Sequence, residues 1–298
     1  MIGEIAALSA AFCWALSAVL YKNVLQRTGY LAANLVRSAF AVLFLLLALP
    51  FIYYQSSVLT QQEYTILFVG AITNLVVGDT FYFIGLKKVG VCRAQPISGS
   101  YPLYVMFFAA MILSEPLTPI VLVGTPVIVV GIVLISSSKN EESCGSSKSS
   151  RVQGLSASLA AAIFWSVGLV CYKLALLDHQ SFDPAFSIFV TTFRTSVILP
   201  FLLLLVVVGR ESKQVAKLSK ISFATLAAAG IIALGVGGIL LFTSYSLIDA
   251  NIATPLSSIS PLFSLVLARH YSGEKATTRI IAGALLIVVG VVLVTFLA

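Results

Sequence analysis

The sequence predicts an all-α integral membrane protein of ten transmembrane helices, built as two inverted five-helix repeats. Three observations predict it. Hydrophobic residues make up 59% of the chain and charged residues only 10%, whereas a soluble domain carries about 25% charge and so has the polar surface to face water. Ten apolar runs each approach the roughly 20 residues that a helix needs to cross hydrocarbon. Finally, the two halves of the chain repeat one another in register over nearly their whole length.

The first five runs are 3–22, 30–53, 64–86, 92–113 and 118–136. The second five are 153–177, 184–208, 221–247, 251–271 and 278–297. The first run has no basic start and is long enough to span, so it reads as a helix and not as a cleavable leader. Between the fifth and sixth lies Ser137–Val152, SSKNEESCGSSKSSRV, rich in serine and charge and without an apolar period. It reads as a flexible linker (137–152) joining a first repeat, 1–136, to a second, 153–298. Cys13, Cys92 and Cys171 lie in or beside apolar runs and Cys144 in the linker, a distribution of packing residues rather than a disulfide framework.

The repeat can be followed helix by helix. Gly3–Lys22, GEIAALSAAFCWALSAVLYK, matches Gly154–Lys173, GLSASLAAAIFWSVGLVCYK, pairing Trp14 with Trp165, Tyr21 with Tyr172 and Lys22 with Lys173. In the second helices Arg37 is echoed by Arg194. Cys92–Glu115, CRAQPISGSYPLYVMFFAAMILSE, aligns without gaps on Asn251–Glu274, NIATPLSSISPLFSLVLARHYSGE. Pro96 then falls on Pro255, Pro102 on Pro261 and Glu115 on Glu274, and the register continues with Gly124 on Gly283 and Gly131 on Gly290. Five helices is an odd number, so the second repeat enters the membrane upside down, the ground plan of many secondary transporters.

Loop charges agree with inversion. Of the 18 basic residues, all but Arg37, Arg194 and Lys173 fall in the odd-numbered connections or at the span edges that adjoin them. By the positive-inside rule these connections are cytoplasmic and both termini lie outside. The net charge of +7 is thereby accounted for by loops facing the cytoplasmic leaflet, and not by a nucleic-acid surface.

The tandem five-helix halves, the W-x(6)-Y-K ending of each first helix and the doubled P-x(5)-P…E…G-x(6)-G run together resemble the drug/metabolite transporter (DMT) superfamily. The chain is most similar to its ten-helix EamA branch. The resemblance implies export or exchange of small metabolites such as amino acids through a central cavity between the halves. Two features depart from the pattern: family members are commonly drawn with both termini in the cytoplasm, and small four-helix relatives carry a membrane-embedded glutamate in the first helix. Here that helix holds only Glu4, at its very end.

Asp79 lies deep in the third helix, where a carboxylate costs about 2.5–3.5 kcal/mol to insert. Asn74, Gly78 and Tyr82 recur at four-residue spacing and share one face, with Asp79 beside it. Asp79 is either a cavity group that binds a cation or a proton, or a structural charge paired with Arg37. Its repeat partner is Gly238, so the shared scaffold needs no acid there. Arg37 and Arg194, being repeated, read first as scaffold residues, paired locally or snorkelling to headgroups, with substrate contact as the alternative. The four helix prolines each remove a backbone donor, and Gln95, Ser98, Tyr101, Thr254 and Ser257 supply polar groups beside them; the fourth and ninth helices therefore read as lining the site, or as kinks capped by hydroxyls. Trp14 and Trp165 sit mid-helix, either as packing or as cavity walls, each with an indole N–H that needs an acceptor. Tyr21 and Tyr172, near helix ends, read as interfacial anchors. Glu115 and Glu274 read as caps of the helices that follow, and the recurrent glycines as points of close helix approach.

The candidate substrate-binding residues are thus Asp79, Asn74, Tyr82, Trp14, Trp165, Gln95, Ser98, Tyr101, Thr254 and Ser257. No cofactor, metal site or catalytic set is indicated: the two histidines, His179 and His270, fall at helix ends without an HExxH pattern. The implied partners are a small-molecule substrate and the lipid bilayer, with protons as the candidate coupling ion, no nucleic acid, and a monomer or homodimer in the cell membrane. A lipid or lipid-headgroup flippase is the alternative within transport, and an intramembrane enzyme the alternative outside it.

Overall fold

The structure, a computed structural model, describes residues 2–48, 59–113, 121–137, 148–175, 184–248, 256–273 and 276–296. Among them every regular element is helical. The first half comprises α1 (Ile2–Leu25), α2 (Tyr30–Ala48), α3 (Gln61–Val89), α4 (Val91–Ser98 and Tyr101–Leu113) and α5 (Val121–Ser137). The second comprises α6 (Lys148–Ala175), α7 (Pro184–Ser196 and Leu199–Val208), α8 (Lys220–Leu247), α9 (256–257 and Ser260–Ser272) and α10 (Thr278–Phe296), with a short helix, Ser212–Ala216, between α7 and α8.

Polarity is distributed for a bilayer. Leu43, Leu47, Met111, Val133, Leu204, Val208, Leu285 and Val289 point outward, while Asn34, Arg37, Asp79, Gln95 and Arg194 are buried. In hydrocarbon the polar groups must find partners inside the bundle, so this arrangement is the stable one.

The two halves share local devices. Thr60 caps α3 with its hydroxyl on the Glu63 N–H, and Glu63 reaches back to the Thr60 N–H in a capping box. Ser219, at the repeat-equivalent place, caps α8 through the Ser222 N–H. Both helices then widen into π-helix at the same point, Ile72–Gly78 in α3 and Ile231–Val236 in α8. The extra residue per turn re-aims the side chains that follow, as wide turns do at functional sites. α4 breaks at Gly99–Ser100 and α9 at the matching Ser258–Ile259. Pro102 and Pro261 stand one residue into the segments that resume there, where a missing N–H breaks no helix bond.

Packing crosses between the halves. α1 lies against α8, and α6 against α3. α5 and α10 cross at Gly131 and Gly283: a Cβ on Gly131 would lie 2.6 Å from the Gly283 carbonyl, and one on Gly283 2.7 Å from that of Gly131. The polypeptides touch there because neither residue has a side chain. On one face Glu211, from the connection after α7, accepts the Ala32 N–H at 2.8 Å. A carboxylate from the second half thus sits on the N-terminus of α2, where the helix dipole favours it.

Three expectations are corrected. α6 starts at Lys148, so Lys148–Val152 belong to the helix and not to a flexible linker; Lys88 Nζ donates to Gln153 Oε1 at 2.8 Å and fastens this polar extension to α3. Residues 138–147 lie outside the described residues, as do Glu115 and Glu274. Tyr21 and Tyr172 are not interfacial anchors but are 2% and 3% exposed. The reason for Tyr21 is that α1 runs on to Leu25, which puts it a turn inside the bundle. Arg93, counted with the third connection, is buried within the first segment of α4.

Candidate functional site

A cavity of about 130 Å³ lies between the two halves. Its wall includes six repeat-related pairs: Trp14 and Trp165, Arg37 and Arg194, Asn74 and Ala233, Leu75 and Leu234, Tyr82 and Leu241, Tyr101 and Ser260. Tyr21, Asp79, Gln95, Gly99 and Leu169 complete it. The π-helical segments supply Asn74, Leu75, Ala233 and Leu234, and the break in α4 supplies Gly99 and Tyr101. Irregular helix segments from both halves thus contribute to the cavity wall.

One polar network runs through the first half. Arg37 Nη2 donates to Asp79 Oδ2 in a buried ion pair, and Arg37 Nε donates to Asn34 Oδ1 at 3.0 Å. The Asn34 amide in turn donates to the Leu75 carbonyl at 3.3 Å. The guanidinium carbon stands 5.0 Å from the Tyr21 ring centre and 4.5 Å from that of Phe83, in cation–π contact with both. The second Asp79 oxygen accepts the Trp165 indole N–H at 2.8 Å. Both residues named in the structural alternative for Asp79 therefore meet, and the carboxylate also faces the cavity.

Trp14 and Trp165 mark the crossing of the halves. The Trp14 indole donates to the Ala233 carbonyl at 3.2 Å, and Asn74 Nδ2 donates to the Trp165 carbonyl at 3.1 Å. Each indole lies on a glycine of the opposite half: a Cβ on Gly78 would come within 2.5 Å of Trp165, and one on Gly237 within 3.0 Å of Trp14. Gly78 and Gly237 are repeat partners, so the glycines leave room for the rings that wall the cavity.

The broken helices meet at the centre. The Tyr82 hydroxyl donates to Gln95 Oε1, and Gln95 Nε2 donates to Ser260 Oγ at 3.2 Å, linking α3, α4 and α9. Tyr101 Oη lies 3.5 Å from Ser257 Oγ. Tyr82 and Tyr101 also pack on Trp165, with ring centres 5.0 Å and 6.3 Å away.

Seven of the ten sequence candidates thus line one cavity: Asp79, Asn74, Tyr82, Trp14, Trp165, Gln95 and Tyr101. Ser98 does not. It is fully buried and turns its hydroxyl to the Ala94 carbonyl at 2.7 Å, satisfying its own helix before the break. Ser257 is buried behind Tyr101 and touches the site through that hydroxyl. Thr254 lies outside the described residues. Ser260, one of the polar groups beside the ninth-helix prolines, does line the cavity; Leu241 was missed but reachable as the repeat partner of Tyr82, whereas Leu75 and Leu234 carried no signal beyond hydrophobicity.

The comparisons with known proteins agree over almost the full chain. The profile of the EamA-like transporter family matches residues 1–137 and 152–296. An uncharacterized transporter of Archaeoglobus fulgidus is 27% identical over 296 residues, covering 98% of each chain. A solved structure, titled only as the crystal structure of a protein, is 20% identical and superposes with a TM-score of 0.67 over 99% of this chain and 97% of its own. At that identity the likeness is one of fold.

Proposed function

Because this chain belongs to the EamA-like transporter family of the drug/metabolite transporter superfamily, a family of multi-pass membrane proteins, we propose that it moves a small polar metabolite of amino-acid size, in the direction of export, across the cell membrane by alternating access. The observation that carries the reading is the cavity itself. It lies between two inverted halves and is walled by the same positions of both, the place where repeat transporters bind and about which one half rocks against the other. Asp79, Asn74, Tyr82, Gln95, Tyr101 and the two tryptophans would contact the solute, and Asp79 would be the group that exchanges a proton.

Counterflow in proteoliposomes tests this. Purified protein loaded with a mixture of unlabelled L-amino acids is expected to accumulate at least one labelled member above protein-free vesicles. Leu169→Trp places a large ring in the cavity wall, where Leu169 is only partly buried. That variant is expected to keep the wild-type melting temperature and lose counterflow. Counterflow at the wild-type rate with Trp at this position would remove the cavity from the pathway.

Orientation is tested separately. With Cys144→Ser as background, Ser57→Cys is expected to react with a membrane-impermeant maleimide on intact cells, and Ser146→Cys only after permeabilisation. The reverse pattern would put both termini in the cytoplasm.

A further inference from the structure

The inverted repeat builds the same aromatic cage twice and gives a counter-ion to only one copy. In the first half Arg37 lies over Tyr21 and Phe83 and is neutralised by Asp79. In the second, Arg194 Cζ stands 5.3 Å from the Tyr172 ring centre and 5.1 Å from that of Phe242, the repeat partners of Tyr21 and Phe83. The acid is missing: Gly238 holds the Asp79 position, and a Cβ built there would lie 3.4 Å from Arg194 Nη2. The second partner is missing too. Where Asn34 accepts from Arg37, the chain has Thr191, whose hydroxyl donates to the Ser187 carbonyl of its own helix at 2.7 Å. Among the described residues Arg194 Nε is consequently left without an acceptor, and so is the Tyr172 hydroxyl proton.

Arg194 is nevertheless only 6% exposed, and it lines the central cavity. Its guanidinium is a planar cation with five donors and no acceptor. Among the charged residues of the cavity wall, two arginines face one carboxylate. Among the described residues the wall therefore carries a net excess of one positive charge, shared against the single carboxylate of Asp79, in a place where charge is costly. An oxyanion of the solute would supply what the second half lacks. The guanidinium fork matches a carboxylate with two parallel hydrogen bonds; a Cβ at Gly238 would already meet Thr191 Cγ2 at 3.1 Å, so the room for such a group is in the cavity that Arg194 lines. Asp79, whose oxygens keep lone pairs beyond those used by Arg37 and Trp165, can accept from an ammonium in the same cavity.

We infer that Arg194 is the carboxylate-recognition site of the transporter and that its solutes carry a carboxylate, which pairs with this guanidinium in the cavity. This rests on the transport reading above and names its substrate class.

The test uses purified full-length protein, thermal-shift and equilibrium binding, and three probe sets: the L-amino acids, the amines formed from them by loss of the carboxylate, and neutral polyols. Wild type is expected to bind at least one amino acid and not the corresponding amine. Arg194→Gln is expected to weaken that binding on the order of 100-fold, the loss that follows when a buried charged partner is removed. Gly238→Asp restores the counter-ion of the first half. It is expected to raise the melting temperature of the ligand-free protein while abolishing amino-acid binding, since an internal carboxylate then occupies the guanidinium. A purely structural arginine would show the stabilisation without the loss of binding, and that result overturns the proposal. Wild-type binding of amines or polyols in preference to amino acids overturns it as well, while leaving the transport reading intact. Counterflow of none of the three sets would fail both readings together.

Discussion

Asp79→Asn is expected to lower stability by about 3 kcal/mol or more, the cost of leaving one member of a buried ion pair without its partner. The remaining contacts of Arg37 cannot make up the loss. Asn34 is neutral, and Tyr21 and Phe83 offer only ring faces. Unfolding of the purified protein in detergent, followed by heat or by denaturant, measures the effect. Adding Arg37→Gln to Asp79→Asn removes the orphaned charge, and the double variant is expected to recover most of the lost stability. That recovery separates the structural role from the proposed one. With the fold restored, counterflow in the double variant is expected to stop responding to a proton gradient, since no titrating group remains at position 79. A double variant that folds and still responds to the gradient would show that the proton is carried elsewhere and that Asp79 serves Arg37 alone.

The second large effect is expected at Gly99. It occupies the break in α4, faces the cavity, and lies against the other half: a Cβ there would come within 2.8 Å of Pro261 Cγ and 3.0 Å of the Gln95 carbonyl. Pro261 cannot turn aside, because its ring is fixed to the backbone. Gly99→Leu therefore drives a wedge between the two broken helices where they meet. Overpacking of this kind costs about 1–3 kcal/mol, which a folded protein can survive. Transport is a different matter, because this contact joins the parts that must move past one another. Counterflow is expected to fall to the level of protein-free vesicles while the protein still elutes as a single folded species. Gly99→Ala should show a smaller loss of both. Wild-type counterflow in well-folded Gly99→Leu would mean that the α4–α9 contact stays closed throughout the cycle.

Both predictions depend on how parts of the chain meet, and the sequence carried that information unevenly. The repeat was legible because inversion leaves each residue a partner at a fixed register. Trp14 and Trp165, Arg37 and Arg194, and Pro102 and Pro261 could be paired without any coordinates. Asp79 was legible as well, since a carboxylate deep among apolar residues is costly unless something meets it, and Arg37 was its evident counterpart. Ser98 was not. A serine beside a helix break can turn its hydroxyl to its own backbone or to a cavity, and only the rotation of the helix in the bundle decides; here the Ala94 carbonyl takes it. Tyr21 was misplaced for a related reason. Position along an apolar run says little about depth when the helix continues beyond the run, and α1 does so to Leu25.

The sequence by itself determined the ten-helix inverted architecture and its membrane setting, because hydropathy, charge and repetition act along the chain and need no partner to be read. It also held the difference between the halves, Asp79 against Gly238 and Asn34 against Thr191, as a bare list of substitutions. Only the tertiary structure decided what that difference means. It brought Arg194 into an aromatic cage equivalent to that of Arg37, on the wall of the same cavity, and left its Nε without an acceptor among the described residues. Whether a charge is satisfied depends on what stands within hydrogen-bond reach in three dimensions, and that is a property of packing, which no single stretch of the chain contains.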